Sequence, residues 1–357
     1  MAQDSNSKAE TAPSPDDARK PDKPTEVSKP NWKYILKKTV REFSKDQCTD
    51  LAAALTYYTV LAIFPALLAM VSILGVVGQG ESTTNALLDF VKQFAPEDAA
   101  KVIQGPIEQL TNSSAAGITL IIGIVGALWS ASGFVKAFGR SLNRIYEVDE
   151  GRPAWKLLPT QLLVTLILVL MAAALMLMLV ISGPIAEAIG NVIGLGSEAV
   201  TVWNIAKWPV MLIFAVLIIA VLYYATPNVK QPKFRWMSMG SLIALVILAV
   251  VTLGFSFYVA NFGNYNATYG AIGGVIVLLL WIWLANVSLL FGAEFDAEVE
   301  RGRELQAGIQ AEESVQLPPR DTRQTEKRQE QEEKDIEEGR KLRQQHAGKD
   351  YDDHLHE

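Results

Sequence analysis

The sequence predicts an all-α polytopic membrane protein with six transmembrane helices and both termini in the cytoplasm. Three observations carry this expectation. First, residues 51–80, 109–135, 157–186, 208–229 and 236–293 contain no Asp, Glu, Lys or Arg. A hydrocarbon core of about 30 Å takes about 20 apolar residues of helix. The first four stretches therefore supply one span each, and the last supplies two, divided at the polar connection Asn261–Gly270. Helices this long in a soluble protein need a charged face toward water, and these have none. Second, charge gathers at the ends: residues 1–30 carry 11 charged side chains and residues 301–357 carry 26, which leaves 33 of 70 for the 270 residues between. Third, the basic residues sort by side. Lys33, Lys37, Lys38, Arg41, Lys45, Lys136, Arg140, Arg144, Arg152, Lys156, Lys230, Lys233 and Arg235 lie on one set of flanks, and only Lys92, Lys101 and Lys207 on the other. That bias puts the richer side in the cytoplasm.

Taken in order, residues 1–30 hold five prolines and little that could be buried, so they read as a disordered cytoplasmic tail without the apolar stretch of a cleavable leader. Asn31–Lys45 reads as a basic amphipathic helix. Trp32, Ile35, Leu36, Val40 and Phe43 oppose Lys33, Lys37, Lys38 and Arg41, a pattern expected to lie on an anionic leaflet, with an ordinary cytoplasmic helix packed on the bundle as the alternative. A six-helix membrane domain follows over residues 31–302, with spans near 52–77, 117–137, 158–182, 207–226, 238–260 and 271–293. Pro65 is expected to kink the first span by removing a ladder hydrogen bond. The outer connections 79–116 and 183–206 carry apolar residues at helical spacing and read as short surface helices. Residues 303–357 read as a charged cytoplasmic tail, helical in part through i,i+4 pairs.

Composition narrows the function. Cys48 is the one cysteine, which excludes a disulfide scaffold, and His346, His354 and His356 all fall in the last dozen residues. The chain is expected to be no enzyme, to hold no metal and no cofactor, and to bind no nucleic acid. No charge stands at mid-span, where one costs about 2.5–3.5 kcal/mol, and this argues against a carrier built on a buried carboxylate. The polarity that exists gathers toward the inner ends of three spans. Asp50 and Tyr57 lie near one face of the first, Lys136, Arg140 and Arg144 form a stripe on the second, and Asn286 and Glu294 form a stripe on the sixth. These stripes either fix the bundle by interhelical ion pairs or form a vestibule for an anionic group such as a phospholipid head. Between the fifth and sixth spans, Asn261, Tyr265, Asn266 and Tyr269 form an uncharged polar outer turn or mouth. Gly292 on the sixth span and Gly126 on the second are expected to let helices approach closely.

Four segments, Ala54–Pro65, Trp129–Lys136 with Arg140 and Asn143–Arg144, Tyr223–Val229, and Tyr265–Gly270 continuing to Gly292–Glu294 and Glu298, resemble the YihY/BrkB family of bacterial inner-membrane proteins over about residues 32–302. Thr226 before Pro227 departs from the apolar residue expected there. The resemblance implies six spans, cytoplasmic termini and the bacterial inner membrane. Members have carried ribonuclease (ribonuclease BN) and virulence labels. Metal-dependent cleavage needs clustered His and carboxylates, and residues 1–345 contain no His. The expected function is transport or translocation of a small solute or lipid, with a noncatalytic envelope scaffold as the alternative. Membrane lipids and a second copy of the chain are the expected partners.

Overall fold

A computed structural model describes residues 5–77, 116–180, 197–232, 234–262 and 271–347. Among these the chain is helical, with the one β-type pairing an isolated bridge between Val229 and Pro319. The helices are α1 (Ser5–Thr11), α2 (Lys29–Lys45), α3 (Cys48–Val77), α4 (Ala116–Ile145), α5 (Ala154–Val180), α6 (Ser197–Ala225), α7 (Phe234–Phe262), α8 (Ala271–Gln306) and α9 (Arg323–Ala347). Four stretches among the described residues are long and apolar enough to cross a membrane: Ala154–Leu175, Glu198–Ala225, Met239–Val259 and Gly273–Gln306. The first two expected spans fall on α3 and α4, where the side chains of 63–77 and 116–124 lie outside the description. Of the surface connections expected over 79–116 and 183–206, residues 79–115 and 183–196 lie outside the described residues and 197–206 form the start of α6; the mouth residues Tyr265, Asn266 and Tyr269 also lie outside, as does the side chain of Asn261.

The helices pair as near neighbours: α3 with α4, α7 with α8, and α5 with both α4 and α6. Register in the first pair is antiparallel. Tyr58 packs over Gly133, while Arg144 at the end of α4 reaches back to Gln47 just before α3. The core sits at one end of the bundle, where α3 begins, α4 and α6 end, and α8 runs out. Cys48, Ala52, Leu55, Phe138, Leu142, Leu222, Tyr223, Leu290, Ala293 and Ala297 meet there. Away from this polar end the helices turn apolar side chains outward, as Leu253 and Phe257 on α7 do. Such surfaces suit a hydrocarbon solvent and would aggregate in water.

Three departures from expectation share one cause, tertiary partners that composition does not show. The first concerns α2, which runs antiparallel along the polar extension of α8 and turns Trp32, Ile35 and Phe43 onto it, while Leu36 and Val40 stay exposed. Asn31 bonds Gln306, Ile35 fills the space over Gly302, and Phe43 rests on Phe291. At 36 residues α8 is about 54 Å long and outruns a bilayer core, so its last turns need this cover. Residues 5–28 depart as well: instead of dangling, they place Lys8, Lys20 and Val27 in buried positions. The third departure is the segment after α8, which folds back as a strap. Ala311, Val315 and Leu317 are buried, Lys230 N–H donates to the Pro318 carbonyl at 2.9 Å, and Gln324 N–H donates to that of Gly151 at 2.9 Å. Only beyond this strap does the expected solvated helix begin, as α9.

Candidate functional site

The expected site residues fall into two groups that the fold keeps apart. On α4, Trp129, Lys136 and Arg140 recur on one outward face. Trp129 is 66% exposed, the Lys136 ammonium lies over its ring at 5.0 Å from the centroid, and Arg140 stands free of any ion pair among the described residues. Tyr57 on the neighbouring α3 is 61% exposed with its ring edge-on to Tyr58, which fixes its depth near Gly133 of α4. Asp50 and Arg144 are exposed nearer the helix ends. From Trp129 to Arg140 the stripe covers about 16 Å of helix axis. An indole covered by the Lys136 ammonium, with the Arg140 cation further along the same face, matches the change from hydrocarbon to headgroups.

Glu294 and Asn286 turn the other way, into the bundle. Asn286 Nδ2 donates to Thr56 Oγ1 at 3.3 Å, tying α8 to α3. Glu294 is buried and takes the Cys48 thiol at 3.9 Å. No ion pair joins Glu294 to Arg140 or Arg144 among the described residues. Instead Arg144 meets Gln47 at 3.3 Å and Asp46 at 3.9 Å. Burial pushes the Cys48 thiol well above its usual range, and the nearby Glu294 and Asp46 carboxylates add to this.

At the elbow between α2 and α3, Gln47 adopts a left-handed backbone, φ 55°. Asp46 beside it is pushed up to about 6, by burial first and then by the Glu42 carboxylate, against the pull of Arg144. Its folded value lies above its ordinary 3.8, so the stabilisation is complete below about 4 and is lost as pH rises through about 6. Asp46→Asn is therefore expected to raise the thermal midpoint of the detergent-solubilised protein near pH 8, and to leave it equal to the parent near pH 4. An equal offset at both values would overturn the assignment.

Sequence reasoning missed two polar networks at this end. In one, Lys20 inserts between Glu300 at 2.6 Å and Glu304 at 3.3 Å, all three fully or nearly buried. Arg303 pairs with Glu300 and donates to the Pro21 carbonyl at 3.1 Å, and Arg301 spans Glu298 at 3.0 Å and Glu147 at 3.5 Å. The Glu147 carboxylate also accepts from the strap's Val315 N–H at 3.1 Å. In the other, Asn228 is fully buried and joins three segments. Its N–H donates to Asn143 Oδ1 at 2.7 Å, and its side-chain amide donates to the Asp149 and Asp321 carbonyls at 2.8 Å each. Arg152 holds Glu150 at 2.7 Å and the Thr226 carbonyl at 2.7 Å beside it. A signal for the first was available: charges on every face of residues 294–304 cannot all point to water once a helix packs there. Among the described residues no group of three or more His, Cys, Asp or Glu is arranged to hold a metal ion.

A bundle of long apolar helices with a folded polar end defines an integral membrane protein of the helical class. The Virulence factor BrkB family model matches residues 39–316, and the chain belongs to that family. The match runs past α8 into the strap, as its buried Ala311 and Val315 require. Over 271 residues the chain is 30% identical to the ribonuclease-like protein YfkH of Bacillus subtilis (strain 168), covering 76% of this chain and 97% of that one. It is 31% identical over 266 residues to a UPF0761 membrane protein of Alkalilimnicola ehrlichii, covering 71% of this chain and 55% of the relative. A UPF0761 membrane protein of Aggregatibacter aphrophilus is 27% identical over 268 residues, covering 74% and 92%. No solved structure matches the chain.

Proposed function

We propose that the chain spans the bacterial inner membrane six times with its polar end in the cytoplasm, and that it binds and translocates anionic phospholipid without catalysing a covalent reaction. One observation supports this above the others: Trp129, Lys136 and Arg140 share one outward face of α4. A basic residue near an anionic leaflet contributes about 1 kcal/mol. Lys136 and Arg140 together then supply about 2 kcal/mol, roughly thirtyfold in headgroup affinity. Glu294 takes no direct part in this reading, because it faces the core.

The test is translocation of labelled phosphatidylglycerol in proteoliposomes of the full chain. Lys136→Ala with Arg140→Ala is expected to slow phosphatidylglycerol movement by roughly thirtyfold and to leave zwitterionic phosphatidylcholine unaffected. Both side chains are outside the core, so the thermal midpoint should hold.

A second reading, a noncatalytic envelope scaffold, draws on the interior polar groups. Asn286 is taken by Thr56, and Ser132 Oγ donates back to the Trp129 carbonyl at 2.6 Å, so these groups serve helix contacts rather than a polar path. No lipid movement by a folded, reconstituted protein would favour it.

A further inference from the structure

The helix α9 leaves the folded strap and touches almost nothing. From Glu330 to His346 every side chain is exposed, including Ile336 at 54% and Leu342 at 52%. Gly339 sits in the middle of it, where glycine costs roughly 1 kcal/mol relative to alanine. A Cβ at Gly339 would meet no atom within 4 Å, so nothing inside the chain accounts for the glycine. The residues around it are self-complementary about that point. Counting outward from Gly339, Glu338 mirrors Arg340, Ile336 mirrors Leu342, and Asp335 mirrors Arg343. Asp335, Ile336, Gly339, Leu342 and Arg343 also share one helical face, at steps of one, three, three and one. Among the described residues none of Asp335, Glu338, Arg340 and Arg343 has an ion-pair partner within the chain, although other charged groups near the strap do.

We propose that α9 is a dimerisation element, pairing antiparallel with α9 of a second copy of this chain across a two-fold axis at Gly339. In that register each Ile336 meets Leu342 of the second copy and each Asp335 meets Arg343. A two-fold contact is isologous, so a sequence that is its own complement about one residue is what it requires. Two glycines at the crossing allow the backbones to approach. A parallel pairing would place Asp335 on Asp335 and Arg343 on Arg343, which repel. Two apolar residues per helix are too few to hold soluble partners together, but confinement to one bilayer raises the effective concentration of the second helix. Copies in one bilayer share a two-fold along its normal, so α9 must run along the membrane face. Its first turn starts there, with the Arg323 guanidinium over the Trp155 ring at the head of α5, 5.3 Å from the centroid.

Disulfide capture in native membranes tests this with the full chain. The parent carries only the buried Cys48, which sets the background. Gly339→Cys lies on the axis and is expected to give a covalent dimer under mild oxidation, while Gln344→Cys on the opposite face gives background. Ile336→Cys and Leu342→Cys are each expected to stay monomeric alone and to join when co-expressed. Adding Asp335→Arg should lose most of the Gly339→Cys dimer, and adding Arg343→Asp as well should regain it. Equal capture at Gly339→Cys and Gln344→Cys would mean random collision and would overturn the proposal. Self-capture of Ile336→Cys would replace the antiparallel register with a parallel one and equally overturn it. All these positions are on a solvent-exposed helix, so none depends on the fold surviving a core change.

Discussion

Lys20→Met is expected to destabilise the folded polar end by about 3–5 kcal/mol and to free the N-terminal arm, the largest single effect predicted for this chain. The Lys20 ammonium is fully buried, 2.6 Å from Glu300 and 3.3 Å from Glu304. Glu300 and Glu304 stand one turn apart on α8, and Gln316 N–H of the strap donates to Glu304 at 2.8 Å. Without Lys20, Glu300 keeps its pair with Arg303, while the buried Glu304 carboxylate is left with the Gln316 N–H. Removing one partner of a buried pair is far costlier than never having had the pair, because the remaining charge stays desolvated. The double variant Lys20→Met with Glu304→Gln should therefore recover much of the loss. The readout is the thermal midpoint in detergent together with the rate of tryptic cleavage at Arg19. A midpoint unchanged in Lys20→Met would show that the arm is not held by this pair.

That network marks the boundary of what the sequence discloses. Hydrophobic runs are long-range, uniform signals, and the helices now seen as α5, α6, α7 and α8 could be located from the absence of charge alone. The ends of these helices were less legible. The expected last span closes near 293, yet α8 continues to Gln306, since nothing in residues 294–304 breaks a helix and their charges find partners elsewhere in the chain. A residue such as Lys20 looks solvated in a window of charged and proline neighbours. Its partner lies 280 positions away, and no local pattern encodes that distance.

The candidate site divides along the same line. Periodicity on α4 placed Trp129, Lys136 and Arg140 on one face, and the fold keeps them there, because a face is a property of one helix. The pairing of that stripe with Glu294 required knowing how α8 is rotated. Rotation is set by Gly240, Gly292 and Tyr223 at the α6, α7 and α8 contact, which turns Glu294 toward Cys48 instead. Asn228 shows the converse. It stood in a recognisable segment, Tyr223–Val229, with no role apparent from its type, and it proves to link the ends of α4 and α6 to the strap.

Gly292 gives the sharpest test of that contact, because the same substitution should have opposite signs at two glycines. A Cβ at Gly292 would lie 2.5 Å from the Gly240 carbonyl oxygen, 2.7 Å from the Ala244 Cβ and 2.7 Å from the Tyr223 hydroxyl. Two of these neighbours are a backbone atom and a Cβ, which move only with their helix. The third, the Tyr223 hydroxyl, is already committed to the Leu289 carbonyl. Gly292→Ala must therefore push α7 from α8, and overpacking of this kind costs about 1–3 kcal/mol. Gly254, in the interior of α7, has no atom within 4 Å of a Cβ. There alanine only lowers the conformational freedom of the unfolded chain and favours helix, for a gain of about 0.5–1 kcal/mol. Thermal midpoints of the two variants in one detergent should move in opposite directions from the parent. Asp296, whose Oδ1 accepts from Gly240 N–H at 2.8 Å across the same seam, supplies an independent reading. If α7 is displaced in Gly292→Ala, that bond is lost, and the added cost of Asp296→Ala should be smaller in the Gly292→Ala background than in the parent. Strict additivity of the two changes, or a loss at Gly254 equal to that at Gly292, would show that the close approach of α7 and α8 is not what orients Glu294 and the polar end around it.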